Sequence, residues 1–194
     1  MIKKIAKRVV GLFLRNYEVY RIYCCSKPPS GPPPALSDGL TCMRVTEDEI
    51  SSAGRQAIRE QAWYAGEGSA PYGCALNGDI VSVRFFWFGR RYAARGFIPL
   101  GDGEAKSVQL FTVPEFRGKR LARALVLFST YDMMVNRGFS RLYSRIWFSN
   151  YPAIRVMESC GWEHISTVVT MQTRIWRKEF RWTLPVRKRR VCDQ

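Results

Sequence analysis

Histidine is nearly absent from this chain, His164 being the single copy. The six cysteines (Cys24, Cys25, Cys42, Cys74, Cys160, Cys192) form no C-x-x-C pair and no Cys/His set with zinc spacing. No metal site is therefore expected. Long apolar runs are missing too. The stretch Val9 to Leu14 is only six residues before Arg15 interrupts it, too short for a spanning helix or a signal-peptide core, and no small-residue cleavage pattern follows. Scattered thiols without an export signal fit a reducing, cytoplasmic setting. Acidic residues are scarce, 16 against 31 Lys and Arg, for a net charge of +15. Residues 1–28 and 174–194 carry +6 each and leave +3 for the middle. A near-neutral body with two basic ends implies peripheral contact with an anionic surface, lipid headgroups or nucleic acid, rather than a uniformly basic nucleic-acid-binding fold.

A chain of 194 residues with 46% hydrophobic content can bury one core of useful size. Ile2, Ile5, Val9, Leu12, Phe13, Tyr20 and Tyr23 recur at three-to-four spacing opposite Lys4, Lys7, Arg8, Arg15 and Glu18. Residues 1–25 are thus expected as a basic amphipathic helix, lying on an anionic membrane or packing onto the domain or a partner subunit. Lys27 to Pro34, K-P-P-S-G-P-P-P, reads as a semi-rigid spacer within a linker over 26–38. A globular domain follows over 39–184, then a basic tail over 185–194. Within it, Leu40 to Val45 is a strand. Thr46 and Glu49 form a capping box for a helix running to Tyr64. Asn77-Gly78-Asp79 turns a hairpin between Tyr72–Leu76 and Ile80–Phe88. Strand Ala105–Val113, helix Arg120–Asn136, strand Arg141–Phe148, helix Tyr151–Cys160 and strands Ile165–Met171 and Arg174–Leu184 complete a mixed α/β order without internal repeats.

Val113 to Ala122, V-P-E-F-R-G-K-R-L-A, opens a strand into a basic, glycine-containing turn at a helix N-terminus. Free backbone N–H groups and a positive dipole end at such a turn hold phosphate oxygens. The loop resembles the acyl-CoA-binding motif of the GCN5-related N-acetyltransferase (GNAT) superfamily, R/Q-x-x-G-x-G/A, with Arg117 first, Ala122 last, and Arg120 where the family carries its central glycine. Asn150, Ala153, Arg155, Glu158, Gly161 and Trp162 resemble the second signature, an asparagine-started helix closing on a Gly-aromatic pair. The sequence also looks like GNAT proteins of bacterial surface-polysaccharide clusters.

The resemblance implies a single GNAT-like α/β domain whose mixed, mostly antiparallel sheet is flanked by helices. It implies acetyl transfer from acetyl-CoA to an amine, such as an amino sugar on a nucleotide or lipid carrier. The backbone of Arg117, Gly118, Lys119, Arg120, Leu121 and Ala122 would hold the CoA pyrophosphate. Main-chain N–H groups around Phe111, Thr112 and Val113, where the family strand carries a bulge, would polarise the thioester, and Asn150 would meet the pantetheine arm. Met157 stands where the family often has an acidic tyrosine, which leaves water or Tyr151 to protonate the thiolate. Glu104, Glu115 and Glu49 are the candidate bases, and His164 is expected to be structural. Arg120 and Met157 also admit a catalytically inert CoA- or partner-binding module. The terminal R-K-R-R and the strand I-W-R-K-E-F-R-W admit a nucleic-acid-binding protein, the less favoured reading. The oligomeric state is not written in the chain.

Overall fold

The computed structural model describes residues 14–31, 39–94, 96–173 and 179–186. Its centre is an eight-stranded sheet in the order β2-β3-β4-β5-β6-β1-β7-β8. The strands are β1 (Leu14–Cys25), β2 (Leu40–Arg44), β3 (Ser69–Leu76), β4 (Asp79–Trp87), β5 (Glu104–Thr112), β6 (Arg141–Trp147), β7 (Glu163–Thr173) and β8 (Glu179–Pro185). Every neighbouring pair is antiparallel except β5 and β6, which run parallel. The helices are α1 (Glu47–Ser51), α2 (Gln56–Arg59), α3 (Gly89–Ala93), α4 (Leu121–Tyr131) and α5 (Tyr151–Ser159). This is the mixed, mostly antiparallel α/β domain expected from the sequence.

The expected helix over 1–25 is corrected across its second half. Residues 14–25 form β1, paired with β6 on one side and β7 on the other, while residues 1–13 lie outside the described residues. The physical reason is that the segment is β-branched and aromatic, which favours sheet, and is covered on both faces, so Tyr23 is buried in the cluster beneath α5 while Tyr20 is buried on the opposite face against Trp147 and Phe97. The register shift beside Ile22 and Tyr23 adds Ile165 on β7 and leaves the alternation of β1 intact. Tyr20, Ile22, Tyr23 and Cys25 are all buried. The domain therefore begins before residue 39. Of the expected linker, residues 32–38 lie outside the described residues, as do residues 187–194 of the basic tail.

Thr46 caps α1 as expected, its hydroxyl accepting from the Glu49 N–H at 3.2 Å while the Glu49 carboxylate accepts from the Thr46 N–H at 2.6 Å. This occupies Glu49 and removes it as a base. The single helix expected up to Tyr64 breaks after Ser51 and resumes as α2 and a 3₁₀ turn over Ala62–Tyr64. Arg59 Nη1 closes the break by donating to the Ala53 and Gly54 carbonyls at 2.8 and 3.1 Å.

Two apolar clusters sandwich the sheet. Leu125, Val126, Ile154 and Met157 pack on Tyr72, Phe86 and Leu142 on one side, and Ile50, Ile58 and Ala65 pack on Val83 and Phe85 on the other. Arg84 is fully buried and binds β5 to α4. Its Nε donates to Ser107 Oγ at 3.1 Å, and its Nη1 donates to the Val126 carbonyl and Ser129 Oγ at 3.1 and 2.9 Å. The end of α4 passes into a π turn over Asp132–Asn136. There the Asp132 carboxylate accepts from Arg44 Nε and Nη2 at 2.7 and 2.8 Å, and from Tyr72 and Asn136 at 2.8 Å each.

Candidate active site

β5 and β6 are joined only from Glu104–Ser107 to Arg141–Ser144, and beyond Ser107 they part. The cause lies on the other edge of β5, where Phe85 faces Gln109 and Phe86 faces Ser107, leaving Val108 as an extra residue. Such a bulge bends its strand and increases its twist. The bulge thus lies earlier in β5 than the expected region around Phe111 to Val113.

A cleft of about 760 Å³ opens where the strands diverge, between the end of β5, the turn into α4, and α5. Eight of the ten residues expected to hold the donor line it: Phe111, Thr112, Arg117, Gly118, Arg120, Leu121, Ala122 and Asn150. Val113 and Lys119 do not. Val113 is 4% exposed and its N–H donates to the Val81 carbonyl at 3.0 Å, while the Lys119 ammonium sits 5.0 Å over the Phe116 ring. N–H direction alternates along a strand, so the Val113 bond to β4 turns the N–H groups of Leu110 and Thr112 toward the edge that β6 has left. Two bonds agree with that phase. The Phe111 carbonyl accepts from Ser82 Oγ on β4 at 2.9 Å, and the Thr112 carbonyl accepts from Arg117 Nε at 3.2 Å. Leu110 thus replaces Phe111 and Val113 as a carbonyl-polarising candidate beside Thr112.

Arg120 has φ +61° and ψ +10°, the left-handed conformation that a glycine adopts freely, and directly precedes α4. Arg120 thus takes a glycine-like backbone shape while carrying a cationic side chain. Gly118 has φ +80°, with no atom within 4 Å of where a Cβ would stand. The first turn of α4 carries no side-chain cap and no acid, so its leading N–H groups remain available at the cleft. Asn150 serves two purposes: its Oδ1 accepts from the Ala153 N–H at 3.3 Å, capping α5, and the residue also borders the cleft.

Arg123 and Arg155 join Arg117 and Arg120 in the lining, which among the described residues contains no Asp or Glu. Arg123 is not among the residues expected at the donor, although its position one turn after Arg120 signals it, and Arg155 belongs to the second motif.

The three catalytic candidates are not brought together. Glu104 opens β5 at the end remote from the cleft, where it accepts from Arg141 Nη1 at 3.3 Å, Tyr143 Oη at 3.2 Å and the Gly101 N–H at 2.9 Å. Glu115 is exposed in the 3₁₀ turn Pro114–Phe116, and Tyr151 is 56% exposed at the start of α5; neither lines the cleft. Their spacing along the chain put them near the motifs, but helix phase and the turn point them away. Met157 is 2% exposed, packed in the core. His164 is structural, stacked on Tyr23 with centroids 5.4 Å apart, and burial lowers its pKa.

A sequence profile of the acetyltransferase (GNAT) family matches residues 17–162. The fold is similar to that of a GNAT-family protein of Novosphingobium aromaticivorans (18% identity, TM-score 0.54, 81% of this chain and 65% of that one). It is also similar to a GCN5-related N-acetyltransferase of Kribbella flavida (12%, 0.54, 86% and 63%) and to the ribosomal-protein-S18-alanine N-acetyltransferase of Escherichia coli (18%, 0.51, 76% and 94%). The chain thus spans less than two thirds of the first two proteins. At these identities the likeness is one of fold. No curated protein matches the sequence. With the profile running from β1 through the Gly161-Trp162 pair that ends the second motif, the chain belongs to the GNAT acetyltransferase family.

Proposed function

We propose that this chain is an acyl-CoA-dependent N-acetyltransferase that binds acetyl-CoA in the cleft and transfers acetyl to an amine, such as an amino sugar. The observation that carries the reading is the coincidence, at one split in the sheet, of a left-handed turn at Gly118 and Arg120, the uncapped start of α4, and four arginines without an acid among the lining residues. Pyrophosphate and phosphate oxygens suit that set. A thioester lying along β5 would have its carbonyl polarised by the Leu110 and Thr112 N–H groups as the tetrahedral intermediate forms. The amine nitrogen bonds to the acetyl carbon, the C–S bond breaks, and the sulfur leaves as thiolate. Among the described residues no His, Tyr, Asp or Glu lines the cleft, so water takes the amine proton and supplies one to the thiolate.

Calorimetric titration of the full chain with CoA, followed by thiol release from acetyl-CoA with an amine panel, tests this. CoA binding with amine-dependent thiol release is expected. CoA binding without release for any amine would favour the inert-module reading, for which Arg120 and the buried Met157 are the motive. Absence of CoA binding would overturn both.

A further inference from the structure

The sheet face opposite α4 and α5 carries cations that nothing in the donor reading uses. Ala105 and Ser107 face α4, so strand alternation directs Lys106 to the other side. Ser144 and Ile146 are likewise buried, and Arg145 between them faces the same side as Lys106. Lys106 and Arg145 therefore flank the base of the split, next to the last paired residues, Ser107 and Ser144.

Lys106 is 8% exposed, its ammonium 5.6 Å over the Tyr92 ring. The Arg145 guanidinium lies over both Tyr20 and Phe97, 4.3 and 4.2 Å from their centroids, and Arg181 from β8 lies 4.1 Å from the same Phe97 centroid while its Nη2 donates to the Phe97 carbonyl. Tyr92 holds Phe97 in place, its hydroxyl accepting from the Phe97 and Ile98 N–H groups at 3.1 Å each. Among the described residues neither Lys106 nor Arg145 has a hydrogen bond or ion pair. Glu104 is occupied by Arg141, Tyr143 and Gly101, and Glu18 adjoins Tyr20. Burial and the Arg145 charge hold the Lys106 pKa down at about 8. A buried ammonium facing a guanidinium without a carboxylate is costly unless an anion arrives.

We infer that Lys106 and Arg145, with Arg181 at the rim, form a subsite for an anionic group, phosphate or carboxylate, on the acceptor amine. The inference rests on the proposed acyl transfer, because it is the donor cleft on the α4/α5 side that leaves this face for the acceptor. An amino sugar on a phosphate-bearing carrier meets the requirement; a polycationic amine does not.

The test uses the full chain, with and without saturating CoA. Binding is measured by calorimetry for glucosamine 6-phosphate against glucosamine, and for β-alanine against β-alaninamide, which separates phosphate from carboxylate. At pH 7 at least one probe that carries the anionic group should bind tenfold or more tightly than its counterpart lacking that group. Lys106→Met should bring that ratio to within threefold while leaving CoA affinity unchanged. Arg145→Gln, on an exposed side chain, provides the same test if Lys106→Met fails to fold. Equal binding of probes with and without the anionic group, or a ratio that survives both substitutions, overturns the subsite. Loss of CoA binding alone would instead count against the donor reading, so the two failures are distinguishable.

Discussion

Arg120 illustrates how a residue with a charged side chain can take a glycine-like conformation and bring that charge to the cleft. A non-glycine residue in the left-handed region costs about 1 kcal/mol. Arg120→Gly should therefore raise stability by about 0.5–1 kcal/mol in urea denaturation, and should weaken CoA binding at low salt by removing one of four cleft arginines. An unchanged midpoint would mean that the backbone relaxes elsewhere. Gly118→Asp adds both a Cβ at φ +80° and a carboxylate beside the arginines, so CoA affinity should fall at least tenfold, ~1.4 kcal/mol, in a variant that still unfolds cooperatively.

At the scale of elements, the Asp132 network holds the end of α4 against β2 and β3. Burial raises the Asp132 pKa, but hydrogen bonds from Arg44, Asn136 and Tyr72 outweigh it, so the carboxyl titrates below its ordinary value. Its stabilisation is complete above the unfolded pKa of about 3.9 and is lost as pH falls through the folded value. Asp132→Asn should cost on the order of 2 kcal/mol at pH 7 and flatten the stability profile on the acid side, measured by urea midpoints between pH 7 and 3. In α5, Met157→Leu conserves volume within the core and should leave acetyl-CoA turnover within a few-fold, at less than about 1.5 kcal/mol of stability. Met157→Tyr overfills the same space, so about 1–3 kcal/mol of destabilisation is expected before any acid can act. A faster Met157→Tyr variant of full stability would show that the position reaches the sulfur.

For the whole molecule, β1 joins the two halves of the sheet, since β6 and β7 meet only through it. Deletion of residues 1–35 should abolish cooperative unfolding and expose apolar surface to dye binding, contrary to a tail tethered by a proline spacer. Deletion of residues 1–13 should retain the fold, and on the anionic-surface proposal it should reduce binding to phosphatidylserine vesicles at low salt. Equal vesicle binding by both proteins would assign membrane contact to other basic residues. No helix among the described residues is long and apolar enough to cross a membrane.

The sequence by itself determined what depends on neighbours along the chain. The Asn77-Gly78 hairpin, the Thr46/Glu49 capping box and the turn from Val113 into α4 all rest on local backbone preferences, and each stands where it was expected. So does the grouping of Arg117, Gly118, Arg120 and Asn150, because two motifs fixed on successive strand–helix units meet once those units pack in parallel. Only the tertiary structure decided the rest. Whether Tyr20 and Tyr23 lie on one face of a helix or on opposite faces of a strand depends on partners in β6 and β7, more than a hundred residues away. Which N–H groups of β5 face the gap depends on one extra residue, Val108, opposite β4. Glu104, Glu115 and Tyr151 left the site, and Lys106 and Arg145 gathered on the far face, because side-chain direction follows strand phase and pairing, which sequence distance does not encode.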